Sequence, residues 1–147
     1  MVRKTVAHDL PSMTYTIESE APRNVWQALR RGLGRKCPNC GEGRLLHSYV
    51  KVRDNCATCG EEMHHHRADD MPPYVTILIV GHLVVPFILM VEQTWAPATW
   101  VHWAIWMPLI TLMSLWMLPR VKGGVVGIQW ANRMHGFGGE DDLPVEP

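Results

Sequence analysis

Polar and apolar residues are unevenly spread along this chain. Up to about residue 70 they are intermixed and rich in charge. Residues 74–91 then read YVTILIVGHLVVPFILMV, 18 positions without Asp, Glu, Lys or Arg. Residues 100–118 read WVHWAIWMPLITLMSLWML, 19 positions with the same absence. As helices at about 1.5 Å per residue, each would span roughly 27–29 Å, close to the ~30 Å hydrocarbon thickness of a bilayer. Helices buried in soluble proteins rarely run so long without a charge, so the pattern predicts two transmembrane spans. The first holds twelve Leu, Ile, Val or Phe residues, contributing on the order of −5 kcal/mol to insertion. The second holds seven, with Pro108 near its middle. The eight-residue linker EQTWAPAT makes joint insertion as a helical hairpin the expectation.

The flanks set an orientation. Eleven Lys or Arg precede the first span, none lies in the linker, and Arg120, Lys122 and Arg133 follow the second. The excess of basic residues on one side places both termini in the cytoplasm. Trp95, Trp100 and Trp103 mark the outer interface and Trp116 the inner one. The first 20 residues contain no apolar run of a secretory signal, which agrees with a cytoplasmic start. Lys+Arg and Asp+Glu are both 14. This zero balance hides a basic segment, residues 21–53, with eight cations and only Glu42 as an acid.

Four cysteines fall in that segment and just beyond it, spaced C-x2-C-x15-C-x2-C: Cys37, Cys40, Cys56 and Cys59. A disulfide framework needs an oxidising compartment, and a redox dithiol needs only one pair. Two CxxC pairs at this spacing match a zinc site. Each pair is followed by glycine, in CPNCG and CATCG, where a left-handed backbone would turn both sulfurs toward one ion. Four thiolates close the coordination shell of a single Zn²⁺, which makes the ion structural. Arg35, Lys36 and Arg44 would offset the negative charge of the cluster. GRLLHSYVKV between the pairs has strand-forming residues, so a zinc ribbon with a short hairpin is expected over 36–68. Metal binding would supply its folding free energy.

The remaining pieces are shorter. Residues 23–35 predict a basic amphipathic helix capped by Asn24, with Trp26, Leu29 and Leu33 on one face. Trp26, Arg30, Arg31 and Arg35 are its candidate contacts with the membrane surface or a partner. A membrane-tethered module meets anionic lipid before nucleic acid, which argues against a nucleic-acid role. DDMPPY, from Asp69, reads as a helix start. Pro119 is expected to end or kink the second span, with an interfacial helix over 120–135. The segments 1–22 and 136–147 read as disordered tails. His64, His65 and His66 stand in a row near Asp69 and Asp70, and read as a solvated stretch or a weak second metal site. His82 lies in the middle of the first span, where an ionisable residue raises the question of function. Thr111 is its candidate hydrogen-bond partner at the same depth. His102 reads as an anchor at the outer interface.

Six stretches together, CPNCGEGRLL, CATCG, DDMPPY, VGHLVVP, VEQTWAP and MLPRVKGGVVGIQWA, resemble the proteobacterial inner-membrane family called domain of unknown function 983. The likeness extends over residues 30–138, with Leu46 where the family more often has Phe. The resemblance implies a bacterial inner-membrane location and genes that neighbour cytochrome c oxidase subunits and assembly factors. It implies no established activity.

The expected architecture is thus an α membrane protein with a small β zinc ribbon: a cytoplasmic ribbon, a two-helix transmembrane hairpin over 69–119 and an interfacial helix. No nucleophile–base pair, phosphate loop or open metal site stands out, so no enzymatic activity is expected. The leading expectation is a zinc-containing accessory or assembly protein that binds membrane lipids and a larger membrane complex, cytochrome c oxidase or its biogenesis machinery. Two rival expectations are copper or haem handling through the histidines, and a lipid or quinone held between the spans.

Overall fold

A computed structural model of the 147-residue chain describes residues 22–67 and 70–138. The expectations for 1–21, for Asp69 and for 139–147 fall outside these residues. Three helices account for most of the described chain: α1 (Val25–Leu33), α2 (Met71–Trp95) and α3 (Thr99–Ala131).

Helix α1 starts where expected. The Asn24 side chain accepts a hydrogen bond from the Gln27 N–H at 3.0 Å, which satisfies one of the free donors of the first turn. Leu29 and Leu33 of its expected apolar face lie over Gly124 of α3. Trp26 is 68% exposed and Leu33 41%, whereas Ala28 and Gly32 are buried. Close approach of two helices is governed by residues without bulk. Gly32 lies against Gly123, and Ala28 against Gly127, so α1 runs antiparallel to the C-terminal end of α3. A Cβ on Gly32 or Gly123 would overlap the other glycine's carbonyl.

Helices α2 and α3 form the expected hairpin, and both are long and apolar enough to cross a membrane. Pro72 occupies the first turn of α2, where no N–H is needed. Ala96, in the left-handed conformation at φ 39°, ends α2 and reverses the chain. Val80 and Val84 are buried at the α2–α3 interface, opposite Ile110 and Ser114.

Helix α3 does not end at Pro119. It runs unbroken through Pro108 and Pro119 for 33 residues, about 50 Å at 1.5 Å per residue. Proline removes one N–H from the ladder and so leaves the carbonyl four residues earlier unpaired. For Pro119 that carbonyl belongs to Leu115, and the Tyr49 hydroxyl donates to it. One turn on, Arg120 stacks 3.8 Å over the Trp116 ring and donates to the Trp116 carbonyl at 2.7 Å. The stretch expected as a separate interfacial helix is therefore the last third of α3. It is buried inside the protein, with Val121, Val125, Val126 and Trp130 in the core.

That core joins α1, α3 and the cysteine segment: Ala28, Leu45, Val52 and Met63 pack with the α3 residues and with Phe137. The expected β ribbon is replaced, among the described residues, by three isolated antiparallel bridges: Lys36↔Arg44, Leu46↔Val52 and Asn55↔Glu62. The first and third close the two knuckles, and the second closes the loop between them. Too few residues separate these closures for paired strands to extend.

Candidate metal centre

The two CxxC segments turn on the same first bond, and the first knuckle closes one residue later than the second. In the first, Gly41 N–H bonds to Cys37 C=O at 2.9 Å and Cys37 N–H to Gly43 C=O at 2.8 Å. In the second, Gly60 N–H bonds to Cys56 C=O at 2.9 Å and Cys56 N–H to Glu61 C=O at 2.9 Å. Gly41 and Gly60 have φ of 78° and 77°, the left-handed region that a residue with a Cβ enters only under strain. The sequence thus uses each glycine to complete a knuckle.

The knuckles face each other and bring all four sulfurs within 4.8 Å of one another. The Cys37–Cys59 and Cys40–Cys56 Sγ separations are both 3.8 Å. A disulfide would hold its sulfurs at about 2.05 Å, and all four cysteines are free thiols. A tetrahedron with metal–sulfur bonds of about 2.3 Å has an edge of about 3.8 Å. The donor set therefore fits one tetrahedral metal ion, held by Cys37, Cys40, Cys56 and Cys59, with no open coordination position. Gly43, which the sequence reading passed over, permits this closure, because a Cβ there would overlap Cys56 Sγ.

Electrostatics divide the four thiols. The backbone N–H groups of Gly43 and Glu42 lower Cys40 to about 6. Burial works to raise Cys56, but the N–H groups of Cys59 and Thr58 outweigh it and the net direction is down. Burial raises Cys37 strongly and also raises Cys59. Without a cation, protons thus stay on Cys37 and Cys59, and a divalent ion must displace them.

A hydrogen-bonded relay ties the cluster to α3. Asn39 Nδ2 approaches Cys59 Sγ at 3.9 Å and donates to Glu61 Oε2 at 2.8 Å. Trp130 Nε1 donates to Glu61 Oε1 at 2.6 Å. Arg23 lies 4.4 Å over the Trp130 ring and donates to the Trp130 and Phe137 carbonyls. Asn39, Glu61, Trp130 and Arg23 were not legible as one group, because up to 107 positions separate them.

The other candidates are placed as follows. Arg31 turns inward and donates to the Pro38 and Asn39 carbonyls, so it braces the first knuckle. Trp26, Arg30 and Arg35 are exposed. His82 and Thr111 are not paired with each other: His82 Nδ1 lies 2.8 Å from Leu78 C=O, and Thr111 donates to Met107 C=O at 2.8 Å. Each bonds one turn back in its own helix, the partner always within reach. His82 lines an apolar hollow formed by α2 residues alone, from Ile77 to Pro86, and this hollow is not between the spans. His102 joins the two helices near the turn of the hairpin, with Nε2 2.9 Å from Glu92 Oε2 and Nδ1 accepting from Trp106 Nε1 at 3.0 Å. His64 and His65 converge with Glu62, a residue outside the expected row, with donor atoms within 4.8 Å of one another. His66 instead turns to Met63 C=O.

A family model described as "Protein of unknown function (DUF983)" matches residues 46–130. The match covers the second knuckle, α2 and nearly all of α3, and begins after the first knuckle. No curated protein and no solved structure gives a significant match.

Proposed function

The chain belongs to the DUF983 family of proteins of unknown function, and from that membership and the geometry above we propose a non-catalytic membrane accessory protein. In this reading α2 and α3 cross the bacterial inner membrane with both termini in the cytoplasm. A structural Zn²⁺ at Cys37, Cys40, Cys56 and Cys59 fixes a small docking head on the inner end of α3.

The observation that carries the reading is the closed four-sulfur tetrahedron, whose partners Asn39 and Glu61 reach Trp130 of α3. A closed tetrahedral S₄ set suits zinc and leaves no position for a substrate. The ion supplies cohesion to a segment that has no paired strands of its own. The head then presents a fixed surface beside the membrane, which suits recognition of a larger membrane complex. The family resemblance makes cytochrome c oxidase or its biogenesis machinery the partner to test first.

The full chain purified in mild detergent should carry one zinc per chain, and Cys37→Ser should lose it. Recovery of oxidase subunits with the wild type but not with Cys37→Ser supports docking through the head. A zinc-loaded chain that comes out of the membrane alone sinks the docking reading, and iron in place of zinc overturns the choice of metal.

A second reading, metal handling, has an observation of its own. Glu62, His64 and His65 offer an N₂O donor set with open positions on the surface of the head. Imidazole and carboxylate donors of this kind suit copper or zinc. Two metal ions per wild-type chain, falling to one in His64→Ala/His65→Ala, would favour it. One ion in both would remove it.

A further inference from the structure

Beside the metal centre lies a hollow of about 550 Å³ whose walls include Arg35, Lys36, Arg44, Ser48 and Tyr49. Three features set it apart from an ordinary basic surface. Lys36 and Arg44 form an antiparallel bridge, which puts two like charges directly opposite each other on one face. Such a pair is destabilising by itself. Arg35 has φ of 60°, the left-handed residue of the turn that ends α1, and this turn fixes it and Lys36 at the rim of the hollow. Glu42 is the one acid in the lining, and no carboxylate among the described residues pairs with Arg35, Lys36 or Arg44. Repulsion is thus concentrated around one cavity, and an anion inside it would offset that repulsion.

The position of the hollow says where the anion comes from. Its Tyr49 wall is bonded to Leu115 C=O of α3. The stacked pair Arg120 and Trp116 lies within one turn of that contact. An arginine over a tryptophan at the end of an apolar run marks the level of lipid headgroups. Basic pockets at that level recognise anionic headgroups.

We propose that this hollow binds the phosphate of an anionic phospholipid headgroup between Arg35, Lys36 and Arg44. The inference rests on the membrane reading above and names the lipid class that the head contacts.

The test uses the full chain in neutral detergent, with thermal unfolding followed as phosphatidylglycerol, phosphatidylcholine or inorganic phosphate is added. Phosphatidylglycerol should raise the midpoint and phosphatidylcholine should not. Lys36→Gln/Arg44→Gln, checked for unchanged metal content and helicity, should weaken the phosphatidylglycerol effect roughly thirtyfold in concentration. Glu42→Gln removes the only carboxylate of the lining and should strengthen it. An equal response to both lipids, or no change in either variant, overturns the site. A response to inorganic phosphate equal to that of phosphatidylglycerol overturns the lipid source and leaves a free-phosphate site. Carbonate extraction of native membranes separates the two levels: a chain released into the soluble fraction sinks the membrane reading itself, whereas a retained chain without lipid discrimination sinks only the site.

Discussion

Tyr49 shows how one residue repairs what another removes. Pro119 deprives the Leu115 carbonyl of its helical donor, and the Tyr49 hydroxyl, 66 positions earlier, takes that place. Tyr49→Phe should then remove that donor and cost about 0.5–1.5 kcal/mol, read from denaturant unfolding of the purified chain. Pro119→Ala returns the N–H, so the double variant should lose much less than the sum of the two single changes, a coupling of about 1 kcal/mol in a double-mutant cycle. Additive losses would show that the hydroxyl does not serve this carbonyl. The thiols allow a second prediction at this scale. Cys37 and Cys59 are raised and remain protonated at neutral pH, so zinc entering the metal-free chain at pH 7 should release about two or more protons per ion. Affinity should therefore weaken as pH falls. Calorimetry in buffers of different ionisation enthalpy would measure the release, and none at all would contradict the assignment of the ligands.

Among the elements, the contact between α1 and α3 depends on what is missing from it. Ala28 and Gly32 meet Gly127 and Gly123 backbone to backbone. Gly123→Val should separate the helices and destabilise the head by a few kcal/mol, seen as early proteolysis around α1 with α2 intact. An unchanged digest would show that the crossing is not tightly packed. This crossing also explains what the sequence did and did not disclose. The two long apolar helices were legible because 18 or 19 uncharged positions leave few alternatives, and the cysteine cluster because its spacing is itself geometric. The Ala28 and Gly32 contact with α3 was missed because small residues leave no mark in an apolar pattern. The unbroken α3 was missed because the partner that rescues Pro119 comes from a distant loop. Strands were expected because Leu45, Leu46 and Val52 favour them, yet closing two knuckles leaves room only for single bridges.

For the whole molecule, an ion at the four sulfurs and the helices would hold different parts. Chelation should loosen residues 36–67, where the described chain has bridges and turns but no extended ladder. Helices α2 and α3 satisfy most of their own backbone, the carbonyls freed by their internal prolines apart, and should persist. Hydrogen exchange of the metal-stripped chain in detergent would thus show fast exchange in the head and protection in the spans. Loss of protection throughout would mean that the ion stabilises the entire fold. The continuity of α3 carries a further consequence. The helix passes from the apolar region into the head as one continuous element, so a tilt of one end would carry the other with it like the arms of a seesaw. The 13 residues beyond Leu118 extend about 20 Å. A thinner bilayer that tilts α3 by about 20° would swing the metal centre sideways by roughly 7 Å, and the head would act as a pointer to the thickness of the surrounding membrane.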